Sequence, residues 1–275
     1  MPVLRQEVLD LSAEATGFSR INRDPCHYFR KYSAVPAALN TEAIVLRSLR
    51  YGEADRILHL YTPGHGKLSA IAKGVRRTRS RFGARLEPFF RVRLMLHRGR
   101  SDLATVTGVD TLAAYARLRG DGRSLDSAAR ACDAVGRIFE TTESHPAVYN
   151  LLCSELGLLD AEPAAATYAN ALAFRLKLLV VAGLAPQLNA CASCGARDAL
   201  LFFAPAAGGV ACAECAGAGF ALTAEAHQFL VRALAVPLAE APAAPLGALR
   251  QADRAISEML HHHAHLRLRP AAIAS

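Results

Sequence analysis

Four cysteines constrain this chain more than any other feature. Cys191-x-x-Cys194 and Cys212-x-x-Cys215 are two knuckles separated by 17 residues. Two residues between thiolates let the backbone curl so that both sulfurs face one ion, and a second knuckle returned by a hairpin completes a tetrahedron. Leu200–Phe203 and Val210–Ala211 can form the arms of that hairpin, with Gly208-Gly209 at its turn. A site closed by four thiolates has no position left for water or substrate, so the expectation is one structural Zn2+ per chain. The competing readings are four unrelated thiols, or a redox dithiol, which would need a single CxxC on a βαβ unit. The seven cysteines are an odd number, and Arg5, Glu7 and Asp10 break up any signal-peptide core; both argue against a disulfide framework. Cys132 and Cys153 fall on apolar helical positions and read as core thiols.

The second constraint is where the charge lies. The net charge is +8, and residues 41–110 alone hold fourteen Lys/Arg against six Asp/Glu. Residues 111–275 hold thirteen against fourteen. A basic segment beside a neutral one points to a polyanionic partner, with a merely solvated surface as the competing reading. From Lys73 to Arg100 there are ten basic residues and one acid, Glu87. Arg76, Arg77, Arg79, Arg81 and Arg85 stand among small residues, as in an exposed loop, while Arg91 and Arg93 alternate onto the outer face of a strand. With Lys67, Lys73, Arg98 and Arg100 they make the candidate nucleic-acid-binding set. Arginine suits this task because its planar fork can bond phosphate twice and also stack on bases. Phe82 and Tyr51 are candidate stacking platforms, though either also reads as core. No base-reading helix is evident, so contacts are expected mainly to the backbone of the polymer.

The texture of the chain changes twice. Residues 1–40 show no steady period and read as a flexible extension. From Thr41 to about residue 115, short segments rich in β-branched residues are separated by Gly/Pro turns: Thr41–Tyr51, Asp55–Thr62, Lys67–Lys73, Phe90–His97 and Leu103–Val109. Such spacing suggests a small antiparallel barrel, and about 75 residues suits an OB-type fold; periodicity does not separate that from an SH3-like barrel. After Gly122 the period becomes helical. Leu125, Ala128, Cys132, Val135 and Phe139 form one stripe with Ser124 as candidate cap. Further helices are expected near 146–159, 166–184, 223–235 (capped by Thr223) and 244–266, with a loop-rich zinc-binding insert at 186–220. The expected class is therefore α+β: an N-terminal barrel over 41–115 and a helical domain over 122–275.

Several functions find little support. The most apolar stretch, around Leu172–Leu184, carries Arg175 and Lys177, too many charges for a span of that length, so the expectation is a soluble, cytoplasmic protein without a membrane or small-molecule partner. His59, His65 and His97 lie in different elements with no triad pattern, and no catalytic residue is expected. A nuclease would need clustered carboxylates for Mg2+, and within 41–110 only Glu53 and Asp55 lie close together. His261 and His265 have i,i+4 spacing that could bind a metal, but an exposed helix end is the simpler reading.

Several segments resemble the bacterial recombination mediator family RecO: TEAIVLRSLRYGEADRILHLYT, GKLSAIAKGVRRTRSRFGARLEPF, LMLHRGRSDLATVTG, FRLKLLVVAGLAPQLNACASCG and FFAPAAGGVACAEC, which together cover roughly residues 41–220 in order. The resemblance implies an N-terminal OB-fold and a helical domain with a zinc-binding insert. It further implies binding of single- and double-stranded DNA, annealing of complementary strands, and RecA loading with RecR onto strands coated by single-strand binding protein, SSB, through its acidic C-terminal tail. It places the protein at the bacterial nucleoid. Some members lack the cysteines, whereas this chain has all four, so zinc carries over to Cys191, Cys194, Cys212 and Cys215. The 40-residue extension departs from the family pattern, and the fit weakens beyond about 225. A zinc-containing RNA-binding protein and a metal-dependent nuclease remain the alternatives.

Overall fold

The computed structural model describes residues 38–80, 82–99 and 103–271. Five strands come first: β1 (Ala38–Tyr51), β2 (Asp55–Thr62), β3 (Gly66–Ala72), β4 (Arg91–His97) and β5 (Ala104–Ala113). They close into a barrel in the order β1-β2-β3-β5-β4. β1 starts at Ala38, three residues ahead of the expected boundary, and residues 1–37 of the expected extension lie outside the described residues. One seam is parallel rather than antiparallel: β3 meets β5 through Ala70↔Ala104 and Ile71↔Thr105. This follows from connectivity, because β4 inserts between β1 and β5 and so brings β5 beside β3 in the same direction. That order is the OB arrangement, not the SH3-like one.

β4 alternates strictly, with Val92, Leu94 and Leu96 inward. β1 does not, because it is buried on both sides. Ala43 and Val45 face the barrel interior, while Ile44 and Leu46 join the core of the helical part. Tyr61 of β2 crosses to that second core in the same way and meets Phe139 edge-on at 6.3 Å.

The helical part comprises α1 (Ala116–Gly120), α2 (Gly122–Ile138), α3 (Pro146–Ala161), α4 (Tyr168–Val181), α5 (Ala224–Ala235) and α6 (Leu246–Ala264). Between α4 and α5 lies a small sheet, β7-β6-β8, of β6 (Phe202–Ala204), β7 (Gly209–Ala211) and β8 (Phe220–Ala221). The cap of α2 is Asp121, not Ser124: its Oδ1 accepts from the Ser124 N–H at 2.8 Å and from the Ser124 hydroxyl at 2.9 Å. The expected stripe also rotates slightly, leaving Leu125 exposed and burying Ala131 in its place. Thr223 caps α5 as expected, accepting from the Ala226 N–H at 3.3 Å. α4 is a core helix, and its Arg175 is buried against Asp253 of α6 at 3.5 Å. Among the described residues, no helix is long and apolar enough to cross a membrane.

The barrel docks on the helices through the β2–β3 turn. Gly66 has φ +53°, and a Cβ there would lie 2.3 Å from the Glu143 carbonyl oxygen and 2.7 Å from that of Thr141. Only glycine permits this approach. The Lys67 N–H then donates to Thr141 O at 3.1 Å, Lys67 Nζ donates to Gly136 O at 2.7 Å, and the Ser144 hydroxyl donates to Pro63 O at 2.9 Å. On the far side, Arg91 of β4 bonds Glu42 at 2.8 Å and Tyr149 of α3 at 3.2 Å.

The helical core also encloses a titratable pair. Glu155 of α3 is buried and accepts from Asn170 Nδ2 of α4 at 2.9 and 3.1 Å. Burial pushes its carboxyl from the ordinary 4.5 up to about 7, although the Asn170 bond opposes the rise. The folded state therefore keeps a proton that the unfolded chain loses. The resulting stability is fully present below about pH 4.5 and is lost as pH rises through about 7. Its size is roughly 3 kcal/mol. Glu155→Gln cannot ionise, so the melting temperature of the variant relative to the parent should climb between pH 5 and pH 8 (about the two ends of this window). Thermal melts of both proteins across that range check this, and a constant difference would show that Glu155 titrates normally.

Candidate nucleic-acid interface and metal centre

The candidate arginines sit on the connection between β3 and β4, which is long but pinned. Gly74 N–H donates to Asp55 Oδ1 at 2.7 Å and Arg76 N–H to Ala54 O at 2.9 Å, tying the loop to the β1–β2 turn. Further along, Ser80 N–H reaches Arg77 O at 3.0 Å and Arg85 N–H reaches Phe82 O at 3.3 Å. Phe82 and Leu86 are buried in the barrel core. Glu87 pairs with Arg56 of β2 at 2.8 Å, and Phe89 N–H donates to Val45 O at 2.8 Å. Phe82 is thus an anchor and not a stacking platform, whereas Tyr51 is 54% exposed beside the loop root.

This anchoring leaves Lys73, Arg76, Arg77, Arg79 and Arg85 exposed, and among the described residues no carboxylate pairs with any of them. Arg81 and Arg100 lie outside the described residues. The other candidates go elsewhere. Arg91 is committed to Glu42 and Tyr149, and its guanidinium holds the Glu42 carboxyl below the usual carboxylate range. Arg93, on the same outer face, is exposed and lies 3.5 Å from Glu42. Arg98 is half-buried at the end of β4. Lys67 belongs to the barrel–helix contact, away from the loop. Sequence reasoning passed over Arg47 and Arg50, which are exposed on β1. Their charge was countable, but the β1–β2 register shift between Val45 and Arg47 decides which face Arg47 takes, and no sequence pattern reveals it.

The four cysteines do converge. Their sulfurs all lie within 4.8 Å of one another, and Cys194 Sγ is 3.8 Å from Cys212 Sγ. A tetrahedral ion with metal–sulfur distances of about 2.3 Å requires sulfur–sulfur separations of about 3.8 Å. A disulfide would need about 2 Å. Each knuckle is shaped by its own backbone: Gly195 N–H bonds Cys191 O at 2.9 Å, and Cys215 N–H bonds Cys212 O at 3.1 Å. N–H groups of Cys194, Cys212 and Ser193 turned towards its sulfur lower the Cys191 thiol to about 6. The crowded sulfurs of Cys194 and Cys212 push Cys215 up to about 12. Four thiols so placed cannot all ionise without a cation among them, and a thiophilic divalent ion fits this donor set.

The insert is bound to the helices behind it. Gly208 N–H bonds Ala204 O at 3.1 Å to close the hairpin, as expected of the glycine pair, and a Cβ on Gly209 would fall 2.2 Å from Gln187 O. Phe203 and Val210 join the helical core, and the His263 ring of α6 bonds Pro205 O at 2.8 Å. His261 contacts Arg267 at 3.4 Å, so these histidines hold the end of α6.

An OB-type barrel carrying a pinned loop whose described arginines have no carboxylate partner among the described residues, docked on a helical body with a four-thiol insert, defines the structural class. The chain belongs to the RecO family of DNA repair. The model described as Recombination protein O N terminal matches residues 37–115, and that described as Recombination protein O C terminal matches residues 119–270. The DNA repair protein RecO of Rubrobacter xylanophilus is 44% identical over 188 residues, covering 65% of this chain and 72% of that protein. Those of Anaeromyxobacter dehalogenans and Streptomyces griseus are each 37% identical, over 82% and 81% of this chain and 91% and 92% of theirs. The matches run through to residue 270, well past the point near 225 where the sequence resemblance weakens.

Proposed function

We propose that this chain is a non-enzymatic DNA-binding mediator of recombinational repair. In this reading it binds single- and double-stranded DNA, anneals complementary strands, and acts with RecR to load RecA onto SSB-coated DNA, contacting the acidic C-terminal tail of SSB. Membership of a DNA repair family supports the setting, at the nucleoid in the bacterial cytoplasm. One observation carries the DNA contact: Arg76, Arg77, Arg79 and Arg85 project from an anchored loop with no carboxylate partner among the described residues. Paired strands repel through their phosphates, so a backbone-binding surface that leaves base edges free is sufficient to promote annealing. Cys191, Cys194, Cys212 and Cys215 would hold a structural Zn2+ that fixes the insert.

A nuclease is disfavoured because Asp55, the acid near Glu53, accepts from Gly74, and Glu87 and Glu42 are paired with arginines. An RNA-binding role is separated by competition between single-stranded DNA and RNA. Anisotropy titrations with labelled single strands at several salt concentrations test the main reading. Neutralising about six phosphates should give a log–log slope near −4. Annealing of SSB-coated complementary strands, with and without RecR, should then be accelerated. Salt-independent affinity would sink the proposal.

A further inference from the structure

A cleft of about 490 Å3 lies between the outer face of β1–β3 and helix α2. Register places Arg47 opposite His59, and His59 opposite Ser69, in one row across three strands. The His59 ring is hydrogen-bonded to the Ser69 hydroxyl at 3.2 Å. Lys67 stands two residues along from Ser69 on the same face. It spends one N–H on Gly136 O. From the other wall come Asp133 and Arg137, paired at 2.8 Å, and Arg269 approaches Asp133 at 3.9 Å. The charge of Asp133 is thereby met by two arginines. Glu140 stands exposed at the rim, and no carboxylate pairs with Arg47 or Lys67 among the described residues. The His59 ring senses the surplus: burial first, then Lys67 and Arg47, hold it below the ordinary histidine value.

Two backbone irregularities meet at this cleft. Between Val45 and Arg47 the pairing of β1 with β2 shifts, so that Leu46 is the extra residue, and Arg47 is turned outward beyond it. Bulges often serve to re-aim a side chain at a site. Opposite it, Phe89 holds φ at +73°, a conformation rare for a bulky residue, fixed by bonds between Phe89 N–H and Val45 O and between Val45 N–H and Phe90 O. Strain of this kind gathers where a surface is built for a ligand. Leu46, Pro88 and Phe89 give the cleft an apolar side against its cationic one.

We propose that this cleft takes a single nucleotide unit, with its phosphate on Arg47, Lys67 and Arg137 and its base against Leu46, Pro88 and Phe89. The volume matches that of small-ligand pockets, and cations at one side of an apolar wall match a phosphate joined to a base. An acidic peptide fits less well, because β1, β2 and β3 are paired to one another here and offer no free strand edge to a peptide backbone. The unit could come free, as a mononucleotide, or from a strand. Pro88 and Phe89 end the same β3–β4 connection that carries the arginines. The strand source of this unit rests on the DNA-binding reading above, and the free source does not.

The test uses the full chain and follows the His59 ring resonance while dAMP, a 5′-phosphorylated tetranucleotide, inorganic phosphate or an acidic tetrapeptide is added. Saturable shifts with dAMP establish the free source, and shifts with the tetranucleotide alone establish the strand source. In either case Arg47→Glu, an exposed position, should weaken binding about tenfold or more. For dAMP, replacing Arg76, Arg77 and Arg79 by Glu should change binding by less than about twofold, because none of the three lines the cleft and salt screens exposed charges. The proposal is overturned if neither nucleotide binds, if phosphate binds as tightly as dAMP, if Arg47→Glu binds like the parent, or if only the peptide binds.

Discussion

Reversal of Arg76, Arg77 and Arg79 together to glutamate is expected to lower affinity for single-stranded DNA at least about a hundredfold at physiological salt. It should also flatten the log–log salt slope by about 2, since three phosphate contacts are removed. The fold should survive. All three side chains are exposed, and the loop is held by backbone bonds and by Phe82 and Leu86 in the barrel core. The decisive comparison is anisotropy against circular dichroism on the same preparation. A folded variant that binds like the parent would move the DNA surface elsewhere, to the face bearing Arg47 and Arg50 or to that of Arg93. Arg91→Glu is a poor substitute for this experiment, because it breaks the contact with Glu42 and Tyr149 and confuses binding with docking.

The other large effect concerns the thiols. Elemental analysis of protein purified without chelator should return about one zinc per chain. Cys191→Ser combined with Cys194→Ser should abolish it. Structural zinc contributes on the order of 10 kcal/mol to small zinc domains. Here the loss is spread over a segment that also packs through Phe203 and Val210, so the expected result is local: residues 186–222 become protease-sensitive and the melting temperature drops by several degrees. DNA affinity should change little, because the arginine loop belongs to the barrel. Metal-free protein with unchanged melting and unchanged proteolysis would refute the role given to the cysteines.

How much of this was legible beforehand depended on the range of the interaction responsible. β4 and β2 were readable because each puts one face in the barrel core. β1 was legible as a strand over Thr41–Tyr51, but its second buried face was not, because Ile44 and Leu46 join the helical core while Ala43 and Val45 face the barrel. α1 escaped notice because its start is capped from far away: Asp160 of α3 accepts from Arg117 N–H at 2.9 Å and Leu118 N–H at 3.0 Å. The parallel seam of the barrel is a property of connectivity and leaves no local trace. In the site, the density of arginine was plain and the cysteine spacing led directly to the converged sulfurs. What spacing could not supply was the division of labour among the basic residues. Arg91 finds its acid 49 positions away and Lys67 its carbonyl 69 positions away, and only folding reveals such pairings.

The glycine at position 66 has a mechanical meaning beyond its own turn. With no side chain there, the β2–β3 turn seats directly on the backbone leading into α3, while Arg91 latches the opposite flank to Tyr149. Two such fasteners on either side of β1 oppose hinging between barrel and helices. If the arginines bind a strand as proposed, the barrel would present it to the helical side at an attitude set by these two contacts. The proposed handling of DNA would then rest on an alignment set when the chain folds.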